Sequence, residues 1–91
     1  MLKIQRTTNG EVVFALSGRL EVGGLGELAA LLARESAQRA VALELQDLVL
    51  VDTEAVDFLR TCQGKGIVLR NCPAYIRAWM ARGRPADRRG S

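Results

Sequence analysis

The residues of this chain best suited to chemistry are grouped between a hydrophobic run and a periodic segment. Asp52, Thr53 and Glu54 are consecutive there. Two carboxylates two positions apart could act as an acid–base pair, and a hydroxyl could accept a phosphate. The 91 residues include no histidine, which removes the commonest general base and zinc ligand. No glycine-rich phosphate loop and no metal-ligand spacing accompany these residues. We therefore expect that the chain is not an enzyme and that it binds no metal or cofactor.

The two cysteines and the hydropathy of the chain indicate its compartment. Cys62 and Cys72 are too few for a disulfide framework and lack a CxxC spacing, so we expect small buried side chains. No apolar run approaches the roughly 18 residues that span a bilayer. The N-terminal residues show no signal peptide. These features predict a cytoplasmic protein.

The net charge of +3 comes mainly from the last ten residues, in which four arginines oppose one aspartate. A basic tail can bind nucleic acid or anionic lipid, or it can simply be solvated. Because this tail has no aromatic residue for base stacking, we expect a solvated end and no nucleic-acid binding. The predicted organisation is one domain over residues 1–82 and a basic, disordered tail over 83–91.

Hydrophobic periodicity predicts the order β-β-α-β-α-β-α. Asn9-Gly10 joins two strand-like runs as a hairpin, and the second run, 12–16, is apolar on both faces and therefore central. Gly23 and Gly24 are expected to break the chain before the first helix, which runs to about Gln38. Its apolar stripe is predicted to consist of Leu25, Leu28, Ala29 and Leu32.

The second half of the chain carries the candidate site. A third strand spans 41–51, with a short break expected at Asp47-Leu48, and Asp52 or Thr53 is a natural N-cap for the second helix. A short strand over 67–69 precedes a third helix over about 74–80, with three residues expected to form its packing face: Tyr75, Ile76 and Trp79. The strand–helix–strand crossings predict an α/β fold, a four-stranded mixed sheet covered by helices.

Three segments of the chain, residues 17–21, 42–55 and 66–73, resemble the STAS family of sulfate transporters and anti-sigma factor antagonists in their sequence and their order. Residues 42–55 resemble its signature, a hydrophobic strand, a polar break and an Asp-Ser-Ser/Thr-Gly turn that opens a helix. Residues 17–21 resemble the segment after its second strand, and residues 66–73 resemble its last strand and following turn. The resemblance covers residues 1–80 and implies a STAS-like fold, a mixed sheet backed by helices.

The resemblance also implies a function. Bacterial stand-alone members act in partner switching, in which a serine kinase that is also an anti-sigma factor binds the domain and phosphorylates the hydroxyl residue after the aspartate. Asp52 matches that aspartate and Thr53 the phosphoacceptor, whereas Glu54 replaces the second hydroxyl and Ala55 the glycine. The implied role is a non-catalytic regulator that binds its protein partner through residues 52–55 and the following helix.

Alternatives remain at this point. STAS domains also resemble an accessory subunit of bacterial ABC systems that transport lipids, and a threonine after the aspartate fits that variant as well. Thr53 could be only an N-cap, without phosphorylation. Glycine's conformational freedom is lost at Ala55, which would be costly if the turn needed a positive φ there. The partner and the oligomeric state are left open.

Overall fold

The computed structural model describes residues 2–82, except for the side chains of Asn9 and Arg82. The seven elements follow the predicted order, and the predicted basic tail, residues 83–91, lies outside the described residues. The strands and helices are β1 (Leu2–Asn9), β2 (Glu11–Leu20), α1 (Val22–Ser36), β3 (Val41–Val51), α2 (Thr53–Gly64), β4 (Val68–Arg70) and α3 (Ala74–Arg82).

The four strands form one mixed sheet in the order β1-β2-β3-β4. β1 and β2 are antiparallel and paired from Leu2↔Gly18 to Asn9↔Glu11, so the hairpin predicted at Asn9-Gly10 is confirmed. Gly10 has φ +90°, a conformation that glycine adopts without strain. β2–β3 and β3–β4 are parallel, which places β2 in the interior of the sheet as its two apolar faces predicted.

The core lies on one face of the sheet, between the strands and the helices. Side chains of β2 alternate along the strand, with Val12, Phe14 and Leu16 buried and the intervening Val13 and Ala15 half-buried. Buried side chains of α1, α2 and α3 complete the same hydrophobic cluster, including Leu28, Leu59 and Ile76. Right-handed crossovers between strands that are neighbours in chain order place α1 and α2 on the same face of the sheet.

β3 is continuous, so the break expected at Asp47-Leu48 is wrong. The strand instead carries two irregularities against β2. Leu45 and Gln46 together stand opposite Leu16, and Val49 is an extra residue between the pairs Gly18↔Leu48 and Arg19↔Leu50. A bulge adds an unpaired residue and bends the strand while most of the ladder is kept. Polar Asp47 and the interrupted alternation, which suggested a break, therefore mark bulges in a continuous strand.

α1 differs from its prediction at its start and along its apolar stripe. The helix begins at Val22 and includes Gly23 and Gly24, which were expected to precede it. The Gly24 N–H donates to the carbonyl of Glu21 at 2.9 Å, which closes the first turn despite the entropic cost of glycine in a helix. Ala29 is exposed although it was placed in the stripe, and Leu31 packs against the core instead.

The third helix packs as predicted through two of its three expected residues. Ile76 is fully buried and Trp79 packs against the core. Tyr75 is 45% exposed, so its assignment to the packing face is wrong in part. Its hydroxyl donates a hydrogen bond to the carbonyl of Leu48, 3.1 Å away. The pairing of β3 with β4 ends at Glu44↔Arg70. Tyr75 therefore provides a hydrogen-bond donor to a part of β3 that β4 does not pair with.

Candidate functional site

The carboxylate of Asp52 caps the start of two helices. Its Oδ1 accepts a hydrogen bond from the Ala55 N–H at 2.8 Å, which makes Asp52 the N-cap of α2. Its Oδ2 accepts from the Val22 N–H at 2.9 Å, the first residue of α1. Of the two caps that the sequence allowed, Asp52 or Thr53, the structure selects Asp52. The bond to Val22 joins residues 30 positions apart, so no local pattern could reveal it.

Thr53 and Glu54 are exposed on the first turn of α2. Within residues 2–82 the Thr53 hydroxyl makes no hydrogen bond, so it is presented to solvent beside the capping carboxylate. Glu54 places a negative charge where the partial positive charge of the helix N-terminus favours it. The two side chains leave the turn's outer surface acidic and carrying one hydroxyl.

Ala55 fits the turn without strain. It is fully buried, and among the described non-glycine residues only Asn71 has a positive φ. The left-handed conformation that would have made alanine costly here is therefore not used. Its methyl group packs in the hydrophobic core, so this position buries apolar area.

Four exposed apolar side chains lie near the C-terminal end of β3. Val49 is 71% exposed, Val22 is 60%, Tyr75 is 45% and Leu50 is 41%. We call these four residues the apical patch. Leu50 pairs with Arg19 one position before the buried pair Leu20↔Val51, and alternation along the strands therefore directs Leu50 away from the core. Val22 is held to Asp52 and Tyr75 to the backbone of Leu48, so all four lie near this end of β3.

The sequence did not identify the apical patch. The run Val49-Leu50-Val51 has the composition of a buried strand, and only Val51 is buried. The bulge at Val49 changes which residues face the core, and a bulge depends on pairing with a distant strand. The one usable signal was the break in alternation at Asp47-Leu48, which was interpreted as an interruption of the strand.

The two carboxylates of the turn have different surroundings. Both oxygens of Asp52 accept backbone hydrogen bonds, and Glu54 points from the exposed first turn of α2. Among the described residues no group of three or more His, Cys, Asp or Glu side chains is arranged to hold a metal ion. Nor does any described helix have the length and apolar character needed to cross a membrane.

The cysteines lie away from the turn. Both are free thiols; Cys62 is buried in α2, and burial raises its pKa to about 11. Cys72 is half-buried, and burial likewise raises the pKa of its thiol, with the nearby Arg77 acting in the opposite direction. Both are therefore protonated near neutral pH. Burial also raises the pKa of Tyr75, to which Cys72 adds a smaller effect.

Comparisons with known proteins inform the fold but not the activity. No family model matches the chain, and no curated protein matches it. A solved structure described as "Crystal Structure Analysis of Mglu" resembles it with a TM-score of 0.55 and 22% identity over 79% of this chain. The match covers 19% of that chain, so the likeness involves a minor part of the larger protein. It supports an α/β fold with a four-stranded mixed sheet and three helices.

Proposed function

We propose that this chain is a non-catalytic STAS-like domain of the anti-sigma factor antagonist type. It binds a serine/threonine kinase or anti-sigma factor in the cytoplasm through residues 52–55 and α2. The observation that carries the proposal is the exposed Thr53 hydroxyl on the first turn of α2, beside a carboxylate that fixes the turn. A kinase needs an accessible hydroxyl, and this one is not consumed by helix capping.

The apical patch supports a protein partner. Its four exposed apolar side chains would favour binding when a partner removes them from water. The negative charge of Glu54 on the same turn as Asp52 would be complementary to a basic partner. A phosphate on Thr53 would add about two negative charges to this surface. Such a change could release the partner, because it would place charge within an apolar contact.

Phosphorylation is the direct test. The purified chain is incubated with ATP and a candidate serine/threonine kinase from the same organism, and the modified residue is located by mass spectrometry. We expect one phosphate on Thr53, lost in Thr53→Val. The control is Thr61→Val, which removes an exposed threonine further along α2 whose hydroxyl bonds to the Asp57 carbonyl. Phosphate on Thr61 alone, or neither phosphate nor a complex, would refute the switch.

Binding through the apical patch has its own test. Val49→Ser should weaken the complex by about fivefold. This corresponds to about 1 kcal/mol, for a valine side chain that the bound partner partly covers. Val68→Ser is the matched control, because Val68 is 55% exposed and pairs with Ala42 near the opposite end of β3. Calorimetric titration against the same kinase gives both affinities. Equal losses in the two variants would place the interface elsewhere.

The accessory-subunit alternative uses the same surface with a different partner. Co-purification of the chain with an ABC ATPase, with Thr53 unmodified, would favour the lipid-transport role. Retention of that complex in Thr53→Asp would separate the two functions further, since a permanent negative charge should disrupt partner switching.

A further inference from the structure

A concave surface, which we call the groove, lies between α2, β4 and α3, away from the turn at 52–55. It encloses about 540 Å³. That volume falls within the roughly 300–1,000 Å³ of small-molecule sites in proteins. The groove is lined by Arg60, Gln63, Gly64, Leu69, Cys72, Arg77, Met80 and Ala81. No residue of this set belongs to the apical patch or to the turn at 52–55.

The lining of the groove combines an apolar part, which we call the floor (Leu69 and Met80), and a charged part, which we call the rim (Arg60 and Arg77). Leu69 and Met80 belong to the hydrophobic core or pack against it, and half-buried Cys72 adds a thiol that burial keeps protonated near neutral pH. Arg77 and Arg60 provide the charge at the rim. Among the described residues that line the groove none is acidic, so the charge that they carry is positive.

Arg60 is held in place before any ligand arrives. Its Nε donates to the carbonyl of Met80 at 3.2 Å, and its Nη1 forms an ion pair with Asp57. The Arg60 side chain is 18% exposed, whereas that of Asp57 is 63% exposed. Within residues 2–82 no atom accepts a hydrogen bond from Arg60 Nη2. This fixed guanidinium therefore keeps donor capacity while losing little conformational entropy on binding.

The charge balance selects the kind of ligand. Asp57 offsets Arg60, so the positive charge of Arg77 is the one left unneutralised by an ion pair among the described residues. A ligand with one negative charge would be matched, and an apolar body would cover Leu69 and Met80. We propose that this groove binds a small amphiphilic monoanion, with its anionic group at Arg77 and Arg60 and its apolar body on the floor.

A pair of fluorescent probes tests the charge requirement. 8-Anilinonaphthalene-1-sulfonate carries an apolar body and one sulfonate, and N-phenyl-1-naphthylamine has the same body without the charge. We expect the full chain to bind the sulfonate more tightly. Arg77→Gln should reduce that affinity about tenfold by removing a charge-assisted contact, with less than about a twofold change for the neutral probe.

Two control variants distinguish a local site from general attraction to a basic chain. Arg39→Gln removes the same charge from an exposed position between α1 and β3. Arg88→Gln removes it from the basic tail. Neither should change the affinity of the sulfonate probe. Equal losses in Arg39→Gln or Arg88→Gln, or equal affinity of the wild-type chain for both probes, would overturn the proposal.

The thiol within the groove localises the probe. Maleimide alkylation of Cys72, followed by peptide mapping, should slow in the presence of the sulfonate, while buried Cys62 reports any general unfolding. Decanoate, a monoanion with an apolar chain, should displace the sulfonate probe. Because decanoate in the groove would itself protect Cys72, its binding is measured by the loss of probe fluorescence and not by alkylation. Decanol and inorganic phosphate should displace little. Sulfonate binding that leaves Cys72 alkylation unchanged would refute the groove as the site.

This inference is independent of the proposed partner switching. Thr53→Val should leave sulfonate binding unchanged, because Thr53 is at the opposite end of α2 from Gln63 and Gly64. Loss of phosphorylation with intact groove binding, or the reverse, therefore separates the two proposals. Loss of sulfonate binding in Thr53→Val would contradict the assignment to the groove.

Discussion

The starts of α1 and α2 have the same position in the fold but very different local sequences. Each helix begins two residues after a parallel strand ends, α1 after Leu20 and α2 after Val51. Glu21 occupies the N-cap position of α1 and makes no side-chain capping bond, whereas Asp52 caps α2 and also reaches Val22. A short carboxylate is a good N-cap and a longer one is poor.

The difference shows that the two starts are not independent. α1 has no acidic residue in its first turn and three glycines within its first five residues, which makes its own sequence a weak beginning for a helix. α2 has a cap and a favourable charge, Glu54. The second oxygen of Asp52 supplies to α1 what its sequence lacks. Asp52 is therefore structural for two elements, and the adjacent Thr53 hydroxyl makes no hydrogen bond within residues 2–82.

Asp52→Ala should be the most damaging single change to this arrangement. It removes both capping bonds, and we expect a loss of about 2 kcal/mol in the free energy of unfolding. Asp52→Asn keeps one acceptor oxygen and should lose about 1 kcal/mol. Urea denaturation measures both, and amide hydrogen exchange at Val22 and Ala55 shows which bond remains.

Glu21→Ala is the matched control for the loss of a carboxylate at a helix start. Since Glu21 makes no capping bond, its removal should alter the free energy of unfolding by less than about 0.5 kcal/mol. If Asp52→Ala were as mild, or if exchange at Val22 were unaffected by it, α1 would not depend on Asp52.

The glycines of α1 sharpen the same comparison. An added Cβ at Gly23 meets no atom within 4 Å, whereas one at Gly24 would lie 3.3 Å from Leu2 Cδ2. Gly23→Ala should therefore stabilise the chain by about 0.5 kcal/mol through helix propensity and a less flexible unfolded state. Gly24→Ala should gain less, because Leu2 must move. Thermal denaturation of both variants measures the difference, and equal gains would show that the close approach carries no cost.

Sequence reasoning succeeded where the determining interactions are local. The hairpin at Asn9-Gly10, the strand–helix alternation and an N-cap at Asp52 or Thr53 each depend on neighbouring residues. The first two are confirmed, and the structure selects Asp52 for the third. It failed where distant segments decide. The start of α1 at Val22 involves a hydrogen bond to Asp52, 30 positions away, and the exposure of Val49 accompanies a bulge in the register between β2 and β3.

The candidate site divides in the same way. Its residues were predicted from their order along the chain, but the apical patch and the groove were not, because each is assembled from several elements. The groove takes Arg60 from α2, Leu69 from β4 and Arg77 from α3. No spacing within the sequence indicates that these residues share one concave surface.

Thr53 gives the smallest expected effect and the sharpest contrast with its neighbour. Because Asp52 provides the cap, Thr53→Ala should change the free energy of unfolding by less than about 0.5 kcal/mol. A threonine that capped α2 would instead contribute about 1 kcal/mol. Urea denaturation of Thr53→Ala beside Asp52→Ala distinguishes the two. A large loss in Thr53→Ala would mean that its hydroxyl is needed by the fold and is not free for a kinase, whereas a negligible loss leaves partner binding as the property that the hydroxyl can affect.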